Sequence, residues 1–582
     1  MMSLRSMLRY TRAQHSTNHA VLCSAAIVSV AVFLVAGWTL GKSFQRFSTT
    51  EHDAQQSTSL VLSEAALARR APSNSIHHPY VDNSTPANTA KARYDGLVEQ
   101  IQQLLTSPPL RRTRFGLVVY SLDRDTTLFS RGAQELLVPA SLTKLYYTAA
   151  AYATMGPTYP VRTVLATDGA IHNGTLTGNL YIIGHGDCLL TVSELEVLAE
   201  KLRALGVRRV RGSIIADASY FDPITDRQEY SGDAERMENL PLITALGLEG
   251  NRITVLISRA AGNRARVQTF PAGSGISVQW SAIPSLPSPK MRRPSRKRQR
   301  YGDLLVMRQK PRRSRRTAAI QPVRVTSTLT DGGVQRIHVL GMPRTQSSVS
   351  VTVTMLNPPL VVAGAFERCL TASGIAFDGR VTTGATPSTV TELAAWERPI
   401  SALVEQCNKN SDNFIAEHVM KILGAYCCGN TQCNVHAYRT VAQLLDTIGV
   451  PSDGCVLYDG SGLSRRNRVT VTSLIGLLRY SARQPWGEQF FNSLAVAGQE
   501  GTLLRRMRRT PAENNLRAKT GTHRNVSGLA GIVRSTDGER LLFAALWNGN
   551  SVGFYKSLEN SLGELLAGFG GESLPTTDSP IR

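Results

Sequence analysis

The apolar periodicity of this chain changes twice, and that interruption limits its fold more than any other feature. Residues 94–106 read as a helix with Leu97, Ile101 and Leu104 on one face. Residues 115–121 follow as a buried strand, and 126–130 as its hairpin partner after Asp123-Arg124-Asp125. An Ala/Tyr/Leu-rich helix over 142–155 then stops at Gly156-Pro157. Between about residues 160 and 390 the texture is different. Short β-rich runs at 179–183, 213–216, 252–258, 335–340 and 348–355 alternate with Gly, Pro and Asp turns, and one clear helix covers 192–205. Helical patterning returns at 400–408 and 412–423. A strand at 515–521, a hairpin at 527–534 and 540–548, and a helix near 557–566 complete the pattern. A chain of 582 residues is too long for one hydrophobic core. The order predicts one α/β (α+β) domain in two parts, 94–158 and 396–570, split by one or two inserted β-rich domains over 159–395, with a tail at 571–582.

Charge is as unevenly spread as periodicity. The formal net charge is +22, yet residues 290–316 alone carry thirteen Lys or Arg against one acid, Asp303. More than half of the excess is therefore local. Pro and Ser interleave these residues with almost no apolar face, which predicts a disordered surface loop over 284–318. Clustered Arg binds phosphate well, so this loop could engage an anionic lipid or polymer, or simply remain solvated. Only 11 of the 65 basic residues are lysines. Lysine can lose its proton when buried and arginine does not, so lysines at special positions carry information here.

Arg5, Arg9 and Arg12 precede an apolar run over 20–41, about long enough to span a bilayer. A secretory signal has the same layout, with Val35-Ala36-Gly37 as a small-residue cleavage site, but the length of the run favours an uncleaved anchor over 1–43. Either reading places the remainder outside the cytoplasmic membrane, in the cell envelope or periplasm, and argues against nucleic acid as a partner. Residues 44–93 read as a Ser/Thr/Ala/Asn-rich linker. Eight cysteines are too few for a disulfide scaffold at this length. Cys427, Cys428, Cys433 and His436 cluster in a Gly/Asn-rich stretch, but their spacing fits no zinc pattern, and a loop disulfide or free thiols is the expectation.

Three motifs carry chemistry. Ser141-Leu142-Thr143-Lys144 is the one Ser-x-x-Lys in the chain, and its spacing puts both side chains on one helix face. A serine hydroxyl needs a neighbouring base, and a desolvated lysine can serve as one. Ser411-Asp412-Asn413 opens a predicted helix, where Ser, Asp and Asn are equally good caps. Lys519-Thr520-Gly521, followed by Thr522, lies on a predicted strand; a fixed cation suits a carboxylate, and Gly admits close approach.

Each motif alone is weak, but in this order and in these elements the three form the constellation of the penicillin-binding proteins and serine β-lactamases. Over about residues 95–570 the chain resembles that superfamily, and within it the class C low-molecular-mass penicillin-binding proteins of the D-alanyl-D-alanine carboxypeptidase/endopeptidase (peptidase S13-like) group. Supporting pieces are the long insertion, Asp217-Ala218-Ser219-Tyr220-Phe221-Asp222, Asn408-Lys409-Asn410, Asp459-Gly460-Ser461-Gly462-Leu463-Ser464 with Asn467, and Gly501-Thr502-Leu503. The resemblance implies an acyl-enzyme on Ser141, with Lys144 as proton acceptor and Ser411 relaying a proton to the leaving amine. It further implies that Asn413 holds the substrate amide and that Lys519, Thr520, Gly521 and Thr522 form the carboxylate and oxyanion subsites. It implies peptidoglycan stem peptides as substrate, β-lactams as inhibitors, and neither metal nor cofactor. Two departures stand out. Cys188 follows Gly186-Asp187 where the family has Pro, and the Trp- and Tyr-bearing segment expected after Asp222 is not evident over 227–239. A β-lactamase would need a second base to activate water, and no persuasive Glu-x-x-x-Asn follows the second motif. A non-catalytic envelope scaffold that binds polymer through the basic loop is the alternative of a different class.

Overall fold

In the computed structural model, the described residues are 86–236, 238–261, 264–282, 323–343 and 348–570. A six-stranded antiparallel sheet joins the two ends of this region. Its order is Thr126–Arg131, Arg114–Ser121, Arg540–Asn548, Val526–Arg534, Arg517–His523 and Ala495–Val496. Phe115 pairs with Trp547 and Tyr120 with Leu542, so strands more than 400 positions apart are direct neighbours.

Both faces of this sheet are covered, which explains why its three central strands, Arg114–Ser121, Arg540–Asn548 and Val526–Arg534, are buried along most of their length rather than alternating. On one face Leu117, Val119, Phe543, Ala545 and Trp547 meet the helices Pro86–Leu104 and Val552–Gly568. On the other, Val118, Tyr120, Leu542, Ala544 and Leu546 share a core with the helices Thr143–Met155, Asn413–Cys428, Cys433–Thr447 and Val471–Ala482. The period of two assigns odd and even residues of each strand to different cores.

The insertion leaves and returns through one neck. Its first strand, Pro160–Thr167, pairs antiparallel with its last, Thr391–Pro399, in a register that sets Pro160 opposite Pro399. These two are the edge of a five-stranded sheet continued by Leu180–Gly184, Ile214–Asp217 and Val381–Thr383. Beyond it lie two three-stranded sheets, built around Arg252–Ala260 and Gln335–Leu340. One continuous hydrophobic core serves all of them.

Several sequence expectations need correction. The insertion is β-rich as read, but a second long helix, Pro358–Ala372, which the sequence reading missed, packs beside Val192–Ala204. Its run from Leu360 to Phe366 is buried on every side, so it shows no polar face by which periodicity would reveal it. The Cys/Gly/Asn-rich stretch is not one long loop. Cys427 and Cys428 end one helix, and Cys433 begins another, Cys433–Thr447. The seven cysteines among the described residues are all free thiols. The first helix begins at Pro86, inside the stretch read as linker. The apolar run 20–41, most of that linker, and the basic stretch 290–316 lie outside the described residues. Among the described residues no helix is long and apolar enough to cross a membrane.

Candidate active site

Residue 141 sits on a single 3-10 turn, Ala140–Leu142, that runs directly into the helix Thr143–Met155. The turn is held open by Ala140 at φ +49° and pressed from two sides by glycines. A Cβ on Gly462 would lie 1.9 Å from the Ala140 carbonyl oxygen, and one on Gly521 would lie 2.7 Å from that of Pro139. Both approaches require the bare backbone.

The second motif divides its labour. Asp412 is the cap of helix Asn413–Cys428, its carboxylate accepting from the Ile415 N–H at 2.9 Å. That frees its neighbours. Ser411, at φ +59°, accepts from Lys519 Nζ at 2.8 Å, and Asn413 Oδ1 accepts from Lys144 Nζ at 2.7 Å. The third motif lies on strand Arg517–His523, which places buried Lys519 and Gly521 toward the turn that carries Ser141. Thr520 Oγ1 donates to Thr502 Oγ1 at 2.9 Å, and Thr522 is exposed. Three segments that the sequence separates by 270 and 108 residues thus converge on one spot.

At its centre Lys144 Nζ lies 2.9 Å from Ser141 Oγ, 2.7 Å from Asn413 Oδ1 and 2.6 Å from the Ser461 carbonyl oxygen. Lys144 and Lys519 are both fully buried, and every direct partner of either ammonium is a neutral oxygen. Burial therefore lowers the pKa of Lys144, against the pull of the Glu417, Asp459 and Asp412 carboxylates. Lys519 is pushed well below the usual lysine range by burial first, and then by Lys144. Cys407 packs near both, but burial raises its thiol to about 12, so it stays neutral and offers no countercharge. A hydroxyl beside a lysine whose pKa burial lowers, with a second buried lysine one serine away, is equipped to form and resolve an ester on Ser141.

The structure also brings in groups that motif reading missed. The Ser461 carbonyl is backbone and has no signature of its own. Glu238, from the insertion, accepts from Asn413 Nδ2. Glu417 is fully buried one turn after Asn413, and a lone acid inside the apolar run Phe414–Met420 was the available signal for it. The two departures also have a place. Cys188 is buried beside Asp187, whose carboxylate holds Arg398 at 3.0 Å. After Asp222 comes a short helix, Arg227–Ser231, whose Tyr230 donates to Glu417 at 3.0 Å.

The chain is also similar to known proteins along most of its length. The model of the D-Ala-D-Ala carboxypeptidase 3 (S13) family matches residues 97–293 and 295–567. A D-alanyl-D-alanine carboxypeptidase of Actinomadura sp. (strain R39) is 29% identical over 502 residues, covering 84% of this chain and 88% of the relative. The D-alanyl-D-alanine carboxypeptidase DacB of Haemophilus influenzae is 24% identical over 453 residues, covering 76% of this chain and 87% of its own. Among solved structures, penicillin binding protein 4 (dacB) of Haemophilus influenzae superposes with a TM-score of 0.58 at 21% identity, over 80% of this chain and 99% of that one.

Proposed function

The chain belongs to the D-Ala-D-Ala carboxypeptidase 3 (S13) family, and from that premise we propose that Ser141 is the nucleophile of its acyl-transfer reaction. The protein is a serine-type D-Ala-D-Ala carboxypeptidase of the penicillin-binding type, acting on peptidoglycan stem peptides. The observation that carries the assignment is the 2.9 Å contact of Ser141 Oγ with Lys144 Nζ. A neutral amine has two N–H bonds and one lone pair. With Asn413 Oδ1 and the Ser461 carbonyl accepting the two N–H bonds, the lone pair faces the serine.

In this reading Lys144 takes the Ser141 proton as Oγ attacks the carbonyl of the penultimate D-Ala. The backbone N–H groups of Ser141 and Thr522 receive the oxyanion, a contribution of about 3 kcal/mol per donor. Ser411 relays a proton to the leaving amine, so D-Ala departs neutral at nitrogen and the acyl group remains on Ser141. Lys519 and Thr520 hold the terminal carboxylate, Gly521 lets the substrate backbone approach the strand, and Asn413 holds the scissile amide. Water then attacks the ester, and its proton returns through Lys144. A β-lactam enters the same path, but its leaving amine stays tethered to the acyl group, which slows hydrolysis.

The apolar run 20–41 and its preceding arginines support an exported, membrane-anchored enzyme, and the charge of 290–316 supports contact with an anionic lipid or wall polymer. The test of the activity is release of free D-Ala from a diacyl-L-lysyl-D-alanyl-D-alanine tripeptide by the full-length protein. Stoichiometric release that Ser141→Ala abolishes is expected. Release that persists in Ser141→Ala would refute the assignment.

A further inference from the structure

Behind the catalytic lysine lies a closed set of buried groups to which no step of the reaction assigns a role. We propose that Asp459 and Glu417 are positioning residues for the Lys144 base, together fixing the peptide unit whose carbonyl accepts from Lys144. This inference rests on Lys144 being the proton acceptor.

The backbone makes the connection. The Ser461 carbonyl, 2.6 Å from Lys144 Nζ, belongs to the same planar peptide as the Gly462 N–H. That N–H donates to Asp459 Oδ1 at 3.1 Å. One rigid unit thus spans from carboxylate to base, and the carboxylate polarises it so that the carbonyl accepts more strongly. The preceding N–H groups, of Gly460 and Ser461, each donate to a different oxygen of Glu417 at 2.9 Å. Asp459 also accepts from Ser464 N–H at 2.8 Å and Asn467 Nδ2 at 2.8 Å. The loop therefore has no freedom to rotate the Ser461 carbonyl away.

If that carbonyl turned away, a neutral Lys144 would have an N–H without an acceptor and could point it at Ser141 instead of its lone pair. Orientation of the base is the quantity at stake. Both carboxylates are fully buried. The insertion supplies their counterparts: Arg227 Nη1 donates to Asp459 Oδ2 at 3.0 Å, and Tyr230 donates to Glu417. The inserted domain thereby reaches the catalytic base through two bonds rather than only framing the cleft.

Burial, with Asp459 beside it, raises Glu417 to about 7. Protonation as pH falls through that value places a hydrogen on an oxygen that now accepts from the loop, and the clamp weakens. The groups facing Lys144 are Glu417, Asp459 and Asp412, the neutral Cys407, and Lys519 and His523; those facing Glu417 are Asp459, Arg227, Tyr230, Tyr147 and Lys144 itself. The acid limb of acylation should therefore contain the Glu417 ionisation. Glu417→Gln removes it, and also removes an anion that raises the Lys144 pKa, so the limb moves to lower pH. Tyr230→Phe removes a donor to the carboxylate, which raises its pKa, so the limb moves to higher pH.

The experiment is stopped-flow acylation of the full-length protein by benzylpenicillin, resolving the first-order step from the prior binding constant across pH. Glu417→Gln can keep only one of the two loop bonds. Its first-order constant should fall on the order of 10- to 100-fold with binding unchanged, as expected for a misoriented base. Asp222→Asn, which breaks the buried contact with Lys421 on the same helix, should lower the melting temperature but keep the wild-type constant. A Glu417→Gln protein with wild-type constant and pH profile would overturn the proposal, whatever its melting temperature. Should that variant fail to fold, an unmoved acid limb in Tyr230→Phe overturns it equally. A wild-type protein that forms no adduct on Ser141 would instead overturn the acyl-enzyme reading beneath it.

Discussion

Replacing Gly521 by alanine adds one methyl group where the strand carrying Lys519 meets the nucleophile turn. Its Cβ would stand 2.7 Å from the Pro139 carbonyl oxygen and 3.3 Å from Leu142 Cγ. The first is backbone and cannot swing aside. Restoring an ordinary separation requires the strand and the turn to part by about 0.5 Å. Gly521 does not occupy the left-handed region, so the new residue adds no backbone strain, and the effect is displacement alone. Since a misplacement of about 1 Å costs on the order of 100-fold, half of that predicts roughly 10-fold slower acylation. The assay is time-resolved labelling with a fluorescent penicillin, beside Gly553→Ala as control. Gly553 lies in the first turn of the final helix, where an added Cβ would meet nothing within 4 Å, so that control should label at the wild-type rate. Wild-type labelling by Gly521→Ala would refute the argument that this contact sets the geometry between strand and nucleophile.

Lys144→Arg should abolish labelling, by about 10²- to 10⁴-fold, because guanidinium does not give up its proton; the wild-type rate should rise with pH through a value below the ordinary lysine range, as burial lowers that of Lys144. Asp222→Asn should cost about 3–5 kcal/mol in denaturant titration, since it leaves Lys421 buried without its carboxylate. Burial opposes ionisation of Asp222, but the bond and charge of Lys421 outweigh it and hold its pKa below the usual carboxylate range. The contribution of that pair is therefore complete above about pH 4 and lost as pH falls through the lower folded value. Among the seven described cysteines, alkylation of the native protein followed by peptide mapping should modify Cys427 and Cys428 first, with Cys188, Cys369, Cys407, Cys433 and Cys455 protected until unfolding.

The parts of the molecule legible in its sequence are those where local chemistry and tertiary position coincide. The strands Arg114–Ser121 and Arg540–Asn548 were readable because burial on both faces leaves unbroken apolar runs bounded by turns. The three motifs were readable because each residue type serves chemistry that few others can. Ser411-Asp412-Asn413 was ambiguous for a physical reason, since cap and site favour the same residues; the structure assigns the cap to Asp412 alone. Helix Pro358–Ala372 was hidden by the burial of its whole run from Leu360 to Phe366. Helix Cys433–Thr447 was hidden because it begins directly after the Gly/Asn-rich turn that dominates the local pattern. Glu417 stood out as a lone acid in an apolar run, but its connection to the Ser461 carbonyl was beyond reach for a different reason. Their significance depends on a loop more than forty residues away folding back beneath Lys144, and spacing along the chain contains no trace of that contact.

The central claim is that Ser141, activated by Lys144, forms a covalent acyl-enzyme. Intact mass and peptide mapping of the full-length protein after exposure to benzylpenicillin test it directly, with Ser141→Ala alongside. The expected result is a mass increase of one penicillin, mapped to the peptide containing Ser141, persisting long after free drug is removed and absent from the alanine variant. An adduct on any other residue, or none on folded protein, would contradict it.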